Sequence, residues 1–426
     1  MFERLVQFIR RPTSRDVIIN TFGNYLNVFF TALFALVLVR VMSPSEYGVL
    51  SVLLGISYVL ANALDFGTTA TIYSYLPTLL EEKTYQLYIF IKTTFYYQTL
   101  FAIITISALA IFFPYLDEIF FKTNAPAWQL YLALLSVLLF IWQNFVSNIL
   151  LASKKFFKVN LYVNISNLIK TIVLFSLIPF GLINVGSVIF VFGILGSILF
   201  FIPLLIEKRD LYPIIMKQKI QKEEFRFGYT LTYFLGTQMF NMGLRMDLFL
   251  LSFFQFKNEV GYYGLAQKVI ISIMTTIVSI TQVLSPNFSQ ASTKKEAKHV
   301  IKTSLLYLSM PAALFLLLLI TPAQVFDLFF TKAFSQTSSI TKSLVIPFVF
   351  YSLSMFLWLF ILYTAKKPIY FLISQAVFFT TMTVGCAILI PKLRVFAPSY
   401  VLTLSFFLSS IILGFAAVYE YRKLPN

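Results

Sequence analysis

Long runs of apolar residues recur along the whole chain, separated by short polar breaks. An α-helix needs about 20 apolar residues to cross roughly 30 Å of hydrocarbon. Because the polar breaks are short, no stretch is left for a soluble domain. The runs predict twelve membrane spans: 17–39, 47–75, 88–112, 129–152, 160–179, 184–206, 226–253, 260–289, 303–322, 342–364, 369–390 and 397–419.

The composition is that of an integral membrane protein. Of the 426 residues, 59% are hydrophobic and 12% are charged, whereas a soluble domain carries roughly 25% charged residues. One cysteine, Cys386, and one histidine, His299, provide neither an intrachain disulfide nor a Cys/His metal site. We therefore expect no cofactor. Residues 1–16 carry four arginines but no signal-peptide core, which predicts an interfacial helix on the cytoplasmic face.

The net charge of +16 is distributed unevenly across the predicted membrane. With the N-terminus inside, 23 of the 33 basic residues fall in or next to inside connections, seven fall outside and three lie within spans. The positive-inside rule then places both termini in the cytoplasm, and we expect a multi-pass protein of the inner membrane. Because topology accounts for most of this charge, nucleic acid is not expected as a partner.

An internal repeat divides the chain. The longest polar connection, 206–227, separates two sets of six spans, and SPSEYGVLSV (43–52) and NEVGYYGLAQKV (258–269) occupy corresponding hairpins. Each motif alone predicts a helix start with its tyrosine, Tyr47 or Tyr263, in the headgroup layer. Because six is even, the halves share an orientation and are expected to be related by an axis along the membrane normal. The predicted domains are a cytoplasmic segment (1–16), a six-helix bundle (17–206), a cytoplasmic linker (207–225), a second six-helix bundle (226–419) and a cytoplasmic tail (420–426).

The chain resembles the Wzx-type polysaccharide flippases of the MATE-like (multidrug/oligosaccharidyl-lipid/polysaccharide, MOP) exporter superfamily. The resemblance is densest over residues 20–77: Asn20, Arg40 at the end of the first helix, the Ser-Pro-x-Glu-Tyr-Gly motif at 43–48, and Asp65-Phe66-Gly67. It implies an all-α integral membrane fold of two six-helix bundles around a V-shaped cavity. Twelve spans is short for a superfamily whose lipid II flippases have fourteen, which argues against lipid II as the substrate.

The resemblance also implies a function. Such flippases pass an undecaprenyl-pyrophosphate-linked oligosaccharide to the outer leaflet by alternating access, for polysaccharides such as O-antigen. Glycosyltransferases and a polysaccharide polymerase would act beside this chain, and membrane lipids would surround it. Because the sequence has no G-x-x-x-x-G-K-[ST] phosphate loop, ATP is not expected to drive transport. A gradient of H⁺ or Na⁺, the membrane potential or removal of product is left as the source of energy.

Five ionisable residues lie within the predicted spans: Asp65, Lys170, Arg245, Asp247 and Lys268. Each costs roughly 2.5–3.5 kcal/mol at mid-helix, so each should face protein or water. Three cations against two acids suit a pyrophosphate, and we assign all five to substrate binding. In the alternative, each cation neutralises an acid or reaches an interface. Asp65 would then pair with a cation on another helix, and Asp247 with Lys268.

Amide groups lie on the first, second and seventh spans, where they suit either sugar hydroxyls or contacts between helices: Asn24, Asn27, Asn62, Gln238 and Asn241. Two competing functions stay open. A drug or cation antiporter of the same fold would need acids to dominate its cavity. A membrane glycosyltransferase or polysaccharide polymerase would need a sizeable outside loop with acid and base residues, whereas Asp117, Glu118 and Asp327 are sparse. We therefore predict a transporter and not an enzyme.

Overall fold

The computed structural model describes residues 11–42, 44–82, 85–121, 123–207, 211–254, 257–329 and 336–426. Residues 1–10 of the predicted N-terminal segment lie outside this part, as does Ser43 of the first repeat motif. The side chain of Tyr47 is likewise not described. The chain forms two compact units, Met1–Phe227 and Gly228–Asn426.

The first unit is helical. Its helices, numbered along the chain, are α1 (Pro12–Val41), α2 (Pro44–Ala63), α3 (Thr68–Glu81), α4 (Gln86–Leu116), α5 (Ala127–Ala152), α6 (Phe156–Leu177), α7 (Val185–Ile189), α8 (Gly196–Glu207) and α9 (Leu211–Met216). A π-helical turn, Phe190–Leu195, joins α7 to α8 in one apolar span. Another, Asp117–Phe121, extends α4.

The second unit is also built from helices. They are α10 (Phe227–Phe253), α11 (Lys257–Gln290), α12 (Lys294–Ile320), α13 (Ala323–Phe329), α14 (Gln336–Leu359), α15 (Pro368–Leu393) and α16 (Ala397–Lys423). A π-helical turn, Phe360–Thr364, extends α14. Thr293 caps α12 by accepting a hydrogen bond from the Glu296 N–H, while the Glu296 carboxylate accepts one from the Thr293 N–H.

All twelve predicted spans fall on these helices. By length and composition, nine stretches of the described residues can cross a membrane, or ten when the bent pair Val52–Ala63 and Thr68–Glu81 counts as one. The last stretch, Pro368–Lys423, contains both α15 and α16. The helix α10 is not among them, and it is unusually polar since Gln238, Asn241, Arg245 and Asp247 follow within ten residues. The predicted all-α membrane fold is confirmed.

In the first unit, α1 and α6 are joined by a ladder of amide groups. Asn160 Nδ2 donates to Asn20 Oδ1 at 3.0 Å, and Asn167 Nδ2 donates to Asn27 Oδ1 at 2.7 Å. Both pairs are 140 residues apart, so the helices run parallel in a heptad register. A side chain at Gly23 would collide with Asn160, so glycine permits this close approach. Asn27 is therefore a packing contact between helices.

The second unit contains a corresponding parallel pair, α10 and α15. A Cβ atom at Gly236 would lie 2.8 Å from the Phe371 ring, and one at Gly243 would lie 2.8 Å from the Phe378 ring. The offset is again constant over seven residues, which gives the same heptad register. Thus the first and fifth spans of one unit correspond to the seventh and eleventh of the other. The amides of the first pair are replaced by aromatic rings in the second.

The amide ladder predicts measurable coupling between α1 and α6. Polar side-chain pairs within membranes couple by about 0.6 kcal/mol on average and by up to about 1.7 kcal/mol. We expect a double-mutant cycle of Asn27→Ala and Asn167→Ala to give a coupling free energy in this range, measured by unfolding in mixed micelles. Asn62→Ala is the control, since its amide donates to Tyr58 O within its own helix. Additive effects of the two ladder substitutions would show that the amides do not interact.

Candidate substrate-binding site

Asp65 lies where the second predicted span breaks. That span, 47–75, was expected to be continuous, but Phe66 and Gly67 adopt left-handed conformations (φ 53° and 77°) and end α2 before α3 begins. The two halves are bent by 48°. A glycine adopts this conformation readily, whereas the β-carbon of a phenylalanine makes it sterically unfavourable. The break is therefore held by tertiary contacts.

The carboxylate of Asp65 satisfies the donors that the break exposes. Its Oδ1 accepts hydrogen bonds from Thr68 Oγ1 at 2.9 Å and from Gln98 Nε2 at 3.2 Å. Its Oδ2 accepts one from the Thr69 N–H at 3.2 Å. Backbone donors in hydrocarbon need internal acceptors, and a negative group at a helix N-terminus is favourable. Asp65 thus stabilises the start of α3, and no ion pair to it is found within the described part of the chain.

Lys170 lies on α6 beside the π-helical turn of the sixth span. Its Nζ is 5.3 Å from the centre of the Phe192 ring, which provides a cation–π contact. A Cβ atom at Gly196 would lie 2.7 Å from Lys170 Cδ, so the glycine leaves the space for this side chain. Among the described residues, no carboxylate lies within ion-pair distance of Lys170. Within the part of the chain that the structure describes, the Phe192 ring is the contact that offsets this positive charge.

Asp247 is the most deeply buried of the five charges, with 1% of its surface exposed. Its Oδ1 accepts a hydrogen bond from its neighbour's backbone, Leu248 N–H, at 2.6 Å. Its Oδ2 accepts two more, from Tyr263 OH at 2.7 Å and from Gln267 Nε2 at 2.9 Å. Asp247 therefore ties α10 to α11 through neutral donors, and these donors take the place of the pairing with Lys268 that the alternative interpretation offered.

Arg245 and Lys268 have exposed side chains, in contrast to the buried Asp247. Neither takes part in an ion pair within the described residues. The five charges thus fall into two groups, Asp65 and Lys170 in the first unit and Arg245, Asp247 and Lys268 in the second. Their assignment to substrate binding stays a prediction.

The prediction that Tyr263 lies in the headgroup layer is wrong. Its side chain is completely buried, and its hydroxyl donates to Asp247. The sequence contains a signal for this contact, because an acid sixteen residues before a tyrosine in a helical hairpin can meet it across the turn. Gln98 and Gln267 were also missed. Both are amides within predicted spans, and each proves to be a donor to one of the in-span acids.

Comparison with known proteins identifies the class. The chain matches the family described as polysaccharide biosynthesis protein over residues 37–339 and belongs to that family. No curated protein sequence matches it.

Several solved structures share the fold. A mutant MATE transporter is similar with a TM-score of 0.76 at 14% identity, over 98% of both chains. The eukaryotic MATE transporter AtDTX14 gives a TM-score of 0.75 at 13% identity, covering 99% of this chain and 98% of that one. A MOP superfamily transporter from Pyrococcus furiosus gives 0.71 at 13%, covering 98% and 97%. The protein is a multi-pass membrane protein of the polysaccharide biosynthesis family, and it has the fold of the MATE and MOP superfamily transporters.

The hydrogen bonds to Asp247 predict a stability cost when one donor is removed. Tyr263→Phe deletes the hydroxyl but keeps the buried ring, and a buried acceptor that loses a donor costs roughly 1–3 kcal/mol. We expect the free energy of unfolding in detergent to fall by that amount. Tyr400→Phe is the matched control, since 63% of Tyr400 is exposed, and it should leave stability unchanged. Equal stability of the two variants would contradict the role of this hydrogen bond.

Proposed function

We propose that this protein is a transporter of the MOP superfamily that moves a lipid-linked oligosaccharide of the undecaprenyl-pyrophosphate type from the cytoplasmic to the outer leaflet of the inner membrane. The observation that carries the proposal is the match to the polysaccharide biosynthesis family over residues 37–339. Transport proceeds by alternating access, both termini lie in the cytoplasm, and H⁺ or Na⁺ is a candidate coupling ion. Glycosyltransferases and a polymerase supply and consume the substrate on the two sides.

The balance of in-span charges supports an anionic substrate. Asp65 and Asp247 are each bound by three neutral donors, and these donors satisfy both carboxylates without a cation. Lys170, Arg245 and Lys268 form no ion pairs in the part of the chain that is described. Their charges are available to the phosphate oxygens of a lipid headgroup, which guanidinium and ammonium groups bind strongly at low dielectric.

The same balance disfavours a drug or cation antiporter. Such a transporter needs acids that can exchange a proton for a cationic drug, whereas the two in-span acids here already serve as hydrogen-bond acceptors. The MOP fold does accommodate different polarities. For the transporter from Pyrococcus furiosus, a reversed polarity of the binding pocket suggests a different function. A pathway lined by cations in the present chain is consistent with these differences in the polarity of the binding pocket.

Loss of an in-span cation should lower transport without loss of the protein. A charge-assisted hydrogen bond contributes about 1.5–3 kcal/mol, so losing one lowers transport about tenfold or more. We expect Arg245→Ala and Lys170→Ala to lose surface polysaccharide in a complementation assay while inserting normally into the membrane. Arg245→Lys should retain part of the activity because it keeps the charge.

Lys302→Ala is the matched control, since it removes an exposed lysine near the predicted cytoplasmic end of α12. It should leave surface polysaccharide unchanged. Full activity of both Arg245→Ala and Lys170→Ala would contradict the proposal that the in-span cations bind the substrate. Efflux of ethidium by the wild-type protein, lost in Asp247→Asn, would favour the antiporter instead.

The enzyme alternative makes a separate prediction. A glycosyltransferase or polymerase would release sugar or phosphate from a lipid-linked donor, whereas a flippase leaves every covalent bond intact. Purified protein incubated with such a donor should therefore give no product by mass spectrometry. Turnover above that of heat-inactivated protein would move the assignment to an enzyme.

A further inference from the structure

The segment 211–227, which joins the two units along the chain, is attached to the first unit by its backbone. The Lys92 ammonium donates to Met216 O at 2.5 Å and to Gln218 O at 2.6 Å. The Gln221 N–H donates to Thr93 Oγ1 at 3.1 Å. Lys92 and Thr93 both lie near the start of α4. This connecting segment is thus held at the end of a membrane span.

Aromatic packing completes the attachment. Phe225 is 2% exposed, and its ring lies 4.9 Å from Tyr97 and 6.0 Å from Phe66 at the break of the second span. Gln218 and Glu224 are buried beside it. One face of the connecting segment is therefore buried against α4 and the start of α3.

The opposite face is both apolar and basic. Three large apolar side chains are exposed by 39–54%, namely Ile214, Met216 and Ile220. Interleaved with them are four exposed cations, Lys217, Lys219, Lys222 and Arg226. The acids nearby are fewer, since Glu223 alone is exposed and Glu224 is buried with an oxygen 3.7 Å from Arg226. This outer face carries a clear excess of positive charge.

The position of this face indicates what covers it. Lys92 is in the second turn of one span and contacts the middle of the segment, while Phe227 begins the helix α10, which contains the predicted seventh span. The middle and the C-terminal end of the segment therefore lie beside the starts of two predicted spans. Exposed apolar side chains flanked by lysines are typical of segments that lie in the membrane interface. Lysine and arginine clusters directly beside a span attract anionic lipid headgroups.

We propose that the outer face of residues 214–227 is a binding surface for anionic phospholipid headgroups of the adjacent leaflet. Lys217, Lys219 and Lys222 bind the phosphates, and Met216 and Ile220 enter the acyl boundary. Charge complementarity selects phosphatidylglycerol over the zwitterionic phosphatidylcholine. This surface is separate from the in-span charges and does not depend on the transported substrate.

The test measures which lipid lies next to the segment in the full-length protein. Gln221→Cys, in a Cys386→Ala background, carries a bimane fluorophore, and the protein is placed in nanodiscs of phosphatidylcholine with phosphatidylglycerol. Bromine is carried on the acyl chains of one lipid or the other at equal mole fraction. Quenching by brominated phosphatidylglycerol should exceed quenching by brominated phosphatidylcholine, with a local enrichment of about fivefold or more.

Two charge-matched variants decide the result. Lys217→Gln with Lys219→Gln and Lys222→Gln should remove the enrichment. The same three changes at Lys295, Lys298 and Lys302, exposed lysines of α12, should preserve it. Absence of quenching, equal quenching by the two lipids, enrichment that survives the first triple change, or equal loss in the control would each overturn the proposal.

Discussion

The hydrocarbon core penalises every charge placed within it, and this constraint governs how the five in-span charges are arranged. An ionised side chain at mid-span costs roughly 2.5–3.5 kcal/mol unless protein or water receives it. The two acids meet the constraint through hydrogen bonds, since Asp65 accepts from the start of α3 and Asp247 from α11. The cations do not share these acids. Lys170 rests on an aromatic ring, and the side chains of Arg245 and Lys268 are exposed. An excess of positive charge follows, which is the property that an anionic headgroup requires.

The need to form every backbone hydrogen bond within the protein explains the remaining architecture. Helices satisfy their own backbone groups and can therefore span the bilayer, whereas an interruption of a helix must find local acceptors. The break at Asp65 does so with its own carboxylate, and Phe66 is held in its left-handed conformation by stacking on Phe101 at 4.3 Å. Parallel helix pairs recur in both units with a heptad offset, α1 with α6 and α10 with α15. The recurrence agrees with an internal repeat whose halves have diverged in side-chain chemistry.

The position of the spans could be predicted from the sequence because span length and apolar content are local properties. All twelve predicted spans fall on helices for that reason. Contacts between helices are not local. The burial of Tyr263 and its bond to Asp247 required knowing how α10 meets α11, and the break at Asp65 required knowing that Gln98 and Phe101 lie beside it. The glycine of the Asp-Phe-Gly sequence is a signal for such a break, yet the span 47–75 was predicted to be continuous. Asp65 and Asp247 were singled out as charges within spans, whereas their hydrogen-bond partners were not predicted.

Transport in proteoliposomes tests most directly whether the cations within the spans select a lipid with an anionic headgroup. Two fluorescent polyprenyl glycolipids with the same sugar are compared, one joined through pyrophosphate and one through a neutral ether. Translocation is followed by dithionite quenching of the label. The account predicts that the wild-type protein moves the pyrophosphate lipid at least about tenfold faster, and that Arg245→Ala combined with Lys170→Ala removes this preference. Equal rates for the two lipids in the wild-type protein would contradict it.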